Sequence, residues 1–409
     1  MINRINIINF LIILIVFFIS SNIAWLNPRP DFYVYRTIEF IPIFWQYNVD
    51  TPTELLSAAF FPEYFVENPI RMSRPGYPII VNLISKILYY LLNPFISFNY
   101  LYYVGASYLI FKFILYFLSI TLLTKLLLNF FNLKHVILIN ILIFFHYHSI
   151  FYATTFHTSE LSFITPLIFL TMFFIIKENY SIYKNIYFSL IVGVLILCKP
   201  NYACYLTILV FSFFNKYYLQ SILSFIIHLL PIFIYLLYLN FVNIEFYHYG
   251  IEGAGFMGWF VEAAKMGFLN LFSELILSIL KYFINLFEYF HLFTILFLLG
   301  LFYIFPSSKK IIIFLAIFIF FTWLQIFSTN RWGGYMVADL TVPVVSISVL
   351  FLINKVSIFE KTKTLINICI LYIFINITSF VNFPWISPYK QIFQEYDFNT
   401  IDNLNTILK

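Results

Sequence analysis

Two carboxylates stand where apolar runs end, and a histidine lies close to one of them. Asp31 follows the first apolar run in the segment RPDFYVY, and His157 and Glu160 lie between two later runs in TTFHTSE. A carboxylate held partly out of water at a membrane surface is a stronger base, so Asp31 could deprotonate a hydroxyl. Each also has a structural interpretation, because Asp31 could cap a helix and Glu160 could stabilise a first helical turn.

Two cations stand in comparable positions. Lys199 ends an apolar run in LCKPN, where the proline breaks the helix, and Arg331 lies in TNRWGGY between two later runs. A guanidinium can bind a phosphate through two hydrogen bonds, and an isolated ammonium at the bilayer edge attracts an anion. The alternative is anchoring, in which the cation reaches the lipid headgroups while its stem stays in the hydrocarbon.

The elements that position these residues are membrane helices. Of the 409 residues, 62% are hydrophobic and 10% are charged, whereas soluble domains are roughly 45–50% apolar. The apolar runs are long and continuous, so they predict helices rather than a barrel. A bilayer core needs about 20 apolar residues per helix, which predicts about eleven spans. We place them near residues 7–25, 100–128, 135–152, 161–176, 186–198, 202–214, 219–241, 286–305, 311–326, 336–352 and 364–380.

The predicted fold is therefore all-α and polytopic, with a membrane domain over residues 1–381. Its first external loop, 27–99, holds interfacial helices, including the apolar segment 78–96. A second external loop, 243–285, contains an amphipathic surface helix, and the tail 382–409 is also external. Treating 78–96 as interfacial places the short lysine-bearing loops in the cytoplasm, as the positive-inside rule requires.

With this topology the four candidate residues share the outer membrane face. Asp31, Glu160, Lys199 and Arg331 reach it from separate parts of the chain. Carboxylates beside cations at a lipid boundary suit a reaction in which a hydroxyl is deprotonated and a lipid phosphate leaves.

The order of elements resembles the GT-C class of polyprenyl-phosphate-dependent glycosyltransferases, which includes protein O-mannosyltransferases and aminoarabinose transferases. The resemblance rests on Asp31 after the first span, the segment RMSRPGYP at 71–78 before the interfacial helix, Glu160 in the second outer turn, and Lys199 before a proline at a helix end. It covers roughly the first half of the chain.

This resemblance implies a GT-C-like fold, a multi-pass protein of a bacterial inner membrane, and an active site on the outer face. A polyprenyl-phosphate sugar would be the donor, and a lipid, glycan or protein hydroxyl the acceptor. Asp31 would be the catalytic base, and the sugar would be inverted at its anomeric carbon. Whether a divalent cation takes part stays open. The implied substrate-binding residues are Arg74, Tyr77, His157, Glu160, Lys199 and Arg331.

Two other classes stay open at the level of sequence. A polysaccharide polymerase or ligase of the O-antigen type would place its main arginine-rich loop late, whereas here the first loop is the largest. A transporter or flippase would show polar residues near the midplane, and Lys112 is the only charge deep in a predicted span.

His146 and His148 are expected on different faces of one helix, which predicts buried histidines rather than a metal pair. The net charge of +5 is spread along the chain, so nucleic acid is not an expected partner.

Overall fold

In a computed structural model the chain forms two compact units. Unit 1 comprises Met1–Glu160 and Leu365–Lys409, and unit 2 comprises Leu161–Thr364. The residues described are 2–22, 34–37, 46–48, 51–67, 72, 74–129, 131–155, 161, 164, 167–168, 181–199, 216–246, 258–303, 309–329, 340–356 and 361–378.

Unit 1 is built mainly of helices, with one short pair of antiparallel strands in the first loop. The strands, β1 (Val34–Thr37) and β2 (Gln46–Asn48), were not expected from the sequence. The helices are α1 (Ile2–Ser21), α2 (Thr51–Ala59), α3 (Tyr64–Glu67), α4 (Gly76–Leu92), α5 (Tyr100–Leu127), α6 (Leu133–Phe144) and α7 (Tyr147–Ala153), together with most of α15 (Thr362–Thr378).

A buried polar cluster joins α1, α5 and α6. The Asn9 amide donates to Thr124 Oγ1 at 3.0 Å, and the Asn140 amide donates to the same oxygen at 2.8 Å and to Asn9 Oδ1 at 3.3 Å. Thr124 in turn donates to the carbonyl of Ile120, one turn earlier in α5. Helices in an apolar medium gain little from hydrophobic contact with one another, so such bonds help to select their partners.

The predicted span 135–152 is broken in the structure. Its two halves, α6 and α7, meet at a bend of 64° over residues 145–146. The break frees backbone N–H groups that a continuous helix would satisfy, and Asn376 of α15 accepts one of them, from Tyr147 N–H, at 2.8 Å.

Helix α4 packs one face against the rest of unit 1 and leaves the other uncovered. The Asn82 amide donates to the carbonyl of Ala58 in α2 at 2.7 Å, and Ser85 Oγ lies 2.8 Å from the Tyr100 hydroxyl of α5. The opposite face exposes Leu83, Ile87, Tyr90 and Leu91. This one-sided pattern agrees in form with the amphipathic helix expected near 78–96.

Unit 2 contains the later helices, which pack in pairs. Helix α8 packs on α9, α12 packs on α14, and α11 contacts α10, α12 and α13. Their bounds are α8 Ile182–Cys198, α9 Tyr218–Phe241, α10 Gly258–Lys265, α11 Phe268–Phe290, α12 Leu292–Tyr303, α13 Lys309–Thr329 and α14 Thr341–Lys355.

Small residues let the paired helices of unit 2 approach closely. A Cβ atom on Gly193 of α8 would lie 2.8 Å from the backbone oxygen of His228 and 2.9 Å from the ring of Pro231, both in α9. One on Gly300 of α12 would lie 2.6 Å from the Ile347 side chain of α14. Close backbone approach at small residues is the usual basis of helix packing in membranes.

The described helices associate the chain with a membrane. Helices α5, α9 and α11 are long and apolar enough to cross one, and the bent pair α6 and α7 adds a fourth candidate if it counts as one span. The other apolar helices are shorter. The predicted span 202–214 lies outside the described residues, as does most of 161–176. The complete set of about eleven spans stays a prediction.

One helix continues past a predicted boundary. The second external loop was expected to end at 285 and a span to begin at 286, but α11 continues unbroken to Phe290. The helix ends at His291, which has a positive φ of 46° that is uncommon for a residue other than glycine, and α12 begins at the next residue. The buried face of α11 continues to its end and includes Leu286, Tyr289 and Phe290. The apolar residues from 286 onward therefore extend this helix and do not begin a new one.

Candidate active site

A buried carboxylate lies in the first loop of unit 1. Glu54, in the first turn of α2, is 2% exposed, and its Oε2 accepts a hydrogen bond of 2.8 Å from the hydroxyl of Tyr108 in α5. Burying a carboxylate costs free energy unless hydrogen bonds or charges compensate it. The Tyr108 hydroxyl supplies one such bond and fixes the carboxylate against α5.

One turn further along α5, Lys112 is also fully buried. Its Nζ donates to the carbonyl oxygen of Tyr152 at 2.8 Å and to that of Thr155. These carbonyls belong to the last turn of α7 and the residues just after it, where a helix leaves its acceptors unsatisfied and carries partial negative charge. Lys112 therefore caps the C-terminal end of α7 from a neighbouring helix.

The ends of α1 and α7 are joined directly. Ser20 Oγ lies 2.8 Å from Thr154 Oγ1 and also accepts the backbone N–H of Thr154 at 3.1 Å. Helix α1 ends at Ser21, ten residues before Asp31 in the sequence, and Thr154 precedes His157 and Glu160 by three and six residues. The two segments that carry the predicted carboxylates thus start from one place in unit 1.

Tyr77 of the RPGYP segment packs against α5, beside the Glu54–Tyr108 contact. Tyr77, at the start of α4, is fully buried and stacks on Tyr108 with ring centroids 4.8 Å apart; Phe111 meets it edge-on at 5.0 Å. Arg74 is half-buried three residues earlier. Tyr77 therefore supports the Glu54–Tyr108 contact, while substrate binding by Tyr77 and Arg74 stays a prediction.

The other predicted site residues are placed as follows. Asp31, His157, Glu160 and Arg331 lie outside the described residues. Lys199 is the half-buried residue that ends α8, with its backbone N–H bonded to the carbonyl of Leu195. It lies in unit 2, and its binding of a phosphate stays a prediction.

Sequence reasoning missed the role of Glu54, which it treated as one of several loop carboxylates. A signal was present, because Tyr108 and Lys112 are four residues apart and share one face of a predicted helix. Two polar residues on one face of an apolar helix indicate a polar partner on another element.

The two histidines are closer than expected. A continuous helix would have separated their side chains, but His146 is the non-helical residue before α7, and the rings of His146 and His148 lie 5.5 Å apart. Both are buried, as predicted. Among the described residues, no group of three or more His, Cys, Asp or Glu side chains could hold a metal ion.

Comparison with protein-family models, curated proteins and solved structures finds no match for this chain. The candidate site therefore stands on the contacts described above.

Proposed function

We propose that this protein is a membrane glycosyltransferase of the GT-C type, which transfers a sugar from a polyprenyl-phosphate donor to a hydroxyl of a lipid, glycan or protein. The observation that carries the proposal is the contact between Ser20 and Thr154. It joins the ends of α1 and α7, which precede Asp31 and His157 with Glu160 in the sequence, and this supports a shared site for these residues.

The reaction assigned to this site is a single displacement. Asp31 takes the proton of the acceptor hydroxyl, whose oxygen attacks the anomeric carbon of the donor. The bond from that carbon to the phosphate oxygen breaks, and its electron pair leaves with the polyprenyl phosphate. Lys199 and Arg331 would bind the phosphate and stabilise its growing negative charge, and Glu160 and His157 would hold the acceptor.

The buried contacts of Glu54, Tyr108 and Lys112 support this chemistry, because they hold the surrounding helices in place. Glu54 and Tyr108 hold α2 to α5, and Lys112 holds the end of α7 to the same helix. Arg74 and Tyr77 precede and begin α4, which packs over α5. Catalysis by positioned charges depends on elements that move little during the reaction, and these contacts restrain three elements against one helix.

The proposed setting is a multi-pass protein of a bacterial inner membrane with its active site outside. The support is the number of apolar helices and the distribution of lysines over the short predicted loops.

The test is sugar transfer by purified protein in detergent, from a panel of radiolabelled short-chain polyprenyl-phosphate sugars to lipid, glycan and peptide acceptors. Asp31→Asn should abolish transfer while leaving the amount of protein in the membrane unchanged. Glu63→Gln is the matched control, because Glu63 is an exposed carboxylate of the same loop. Transfer by Asp31→Asn equal to that of the control would contradict the base assignment.

A transporter or flippase is the second candidate, favoured by the broken helix pair α6 and α7. Broken helices and buried charges are characteristic of transport sites, and the break at 145–146 lies in the same unit as buried Lys112. The two functions differ in whether they require a sealed membrane. Sugar transfer proceeds in detergent, whereas transport requires two compartments. Formation of the glycosylated product in detergent therefore favours the transferase.

A further inference from the structure

Helix α11 has three distinct faces. One is buried against its neighbours, including α12 and α13. A second carries the charged residues Glu274, Lys281 and Glu288, which follow one another at intervals of seven and therefore share one stripe of the helix. The third is apolar and exposed. Its residues are Phe268, Leu269, Phe272, Ile276, Ile279, Leu280, Phe283 and Phe287, and the exposed Leu277 and Ile284 lie between this face and the charged stripe.

The charged stripe does not suit a helix that crosses the bilayer. Lys281 and Glu288 are exposed and Glu274 is half-buried. Glu274 and Glu288 are 14 residues apart, which corresponds to about 21 Å along a helix. This length is most of the thickness of the bilayer core. In a transmembrane orientation Lys281 would be near the centre of the hydrocarbon, where a charge is costly.

The uncovered apolar face does not suit a helix surrounded by water either. The face runs the length of α11 and continues across the turn at Gly267, whose φ of 108° is readily adopted by glycine. Phe268 and Leu269 are 77% and 80% exposed, and Met266 on the other side of the turn is 73% exposed. A helix with a charged stripe and an opposing apolar face is typical of the membrane interface.

We infer that α11 lies in the plane of the membrane, with Glu274, Lys281 and Glu288 toward water. Its apolar face enters the boundary between headgroups and acyl chains, and the turn at Met266–Phe268 enters with it. The partner of this surface is the bilayer. The inference holds for any function of the protein, because it rests only on the faces of α11.

Single cysteines along the helix test this orientation in sealed cells. The three native cysteines, Cys198, Cys204 and Cys369, are first replaced by alanine. Cysteine is then introduced at the stripe positions 274, 281 and 288, and at 272, 276 and 280 on the apolar face. Each variant is treated with a membrane-impermeant maleimide, before and after detergent solubilisation.

The expected result is full labelling of all three stripe positions from one side of the membrane, equal to that after solubilisation. The apolar positions should label only after solubilisation. A transmembrane α11 would instead label 274 and 288 from opposite sides and leave 281 protected, and this result would overturn the inference. Protection of the whole stripe even after solubilisation would also overturn it, since protein rather than water would then cover the charges.

Spin-label depth gives a second measurement on the same apolar-face variants. Nitroxides at 272, 276 and 280 should report one shallow depth in reconstituted vesicles, because an in-plane helix keeps its length at constant depth. A depth that increases steadily along these positions would indicate a crossing helix. Variants that do not fold are recognised by loss of a monodisperse peak in detergent and are replaced by a neighbouring position on the same face.

Discussion

The Nζ of Lys112 donates a hydrogen bond of 2.8 Å to the carbonyl oxygen of Tyr152, across the boundary between α5 and α7. A lysine within a 28-residue apolar helix is costly unless its donors are used. Here they satisfy backbone acceptors that the end of α7 would otherwise leave buried and unpaired. The cost of burying the lysine and the cost of ending a helix in an apolar environment thus offset each other.

Lys112→Met should therefore destabilise unit 1. Methionine keeps the length of the side chain but donates nothing to the carbonyls of Tyr152 and Thr155. Leaving buried acceptors unsatisfied should lower the free energy of unfolding by about 1–3 kcal/mol. Thermal unfolding in detergent measures the change. Lys125→Met is the control, since Lys125 is exposed in the last turn of the same helix. Equal melting temperatures for the two variants would contradict the capping role.

The contact between Glu54 and Tyr108 should appear as a coupling energy. We expect Glu54→Ala and Tyr108→Phe together to cost less than the sum of the single changes, by about 1.5–3 kcal/mol for a bond to a charged group. Unfolding in detergent provides the four stabilities of the cycle. The same cycle with Glu63→Ala in place of Glu54→Ala should be additive within about 0.5 kcal/mol. A coupling no larger than this control would mean that the bond adds nothing to stability.

Gly193→Ala should weaken the pairing of α8 with α9. The added methyl would lie 2.8 Å from the His228 backbone oxygen, and a backbone atom cannot move aside as a flexible side chain can. We expect a loss of about 1–3 kcal/mol, typical of overpacking, measured as a lower melting temperature. Val194→Ala changes an exposed position of α8 and should have little effect. Wild-type stability in Gly193→Ala would show that the helices are less closely packed.

The predicted topology places the carboxylate segments outside and the start of α8 inside. Cysteines substituted for Phe32 and Ser159, beside Asp31 and Glu160, should react with an impermeant maleimide added to intact cells. A cysteine at Tyr183, which is 81% exposed at the start of α8, should react only after the membrane is opened. If all three cysteines react in intact cells, the start of α8 is not cytoplasmic as predicted. If the cysteine at position 32 or 159 fails to react, Asp31 and Glu160 do not share the outer face.

Helix positions followed largely from the sequence, because apolar character and helix ends are local properties. The span expected at 100–128 is α5, Tyr100–Leu127, and its start is marked by Asn99, whose side chain accepts the N–H of Leu101. The span expected at 219–241 is α9, Tyr218–Phe241. Position 286 shows no helix break, since the apolar run continues there through α11, and the helix ends instead at His291, a residue with positive φ.

The partners of the polar residues were decided by tertiary structure alone. Glu54 and Tyr108 are 54 residues apart in the chain, Ser20 and Thr154 are 134 apart, and Tyr147 and Asn376 are 229 apart. Hydropathy averaged along the chain tells which residues leave water, but not which donor meets which acceptor. That depends on the mutual rotation and depth of helices far apart in sequence, since buried polar groups must be paired wherever packing brings a partner within about 3 Å.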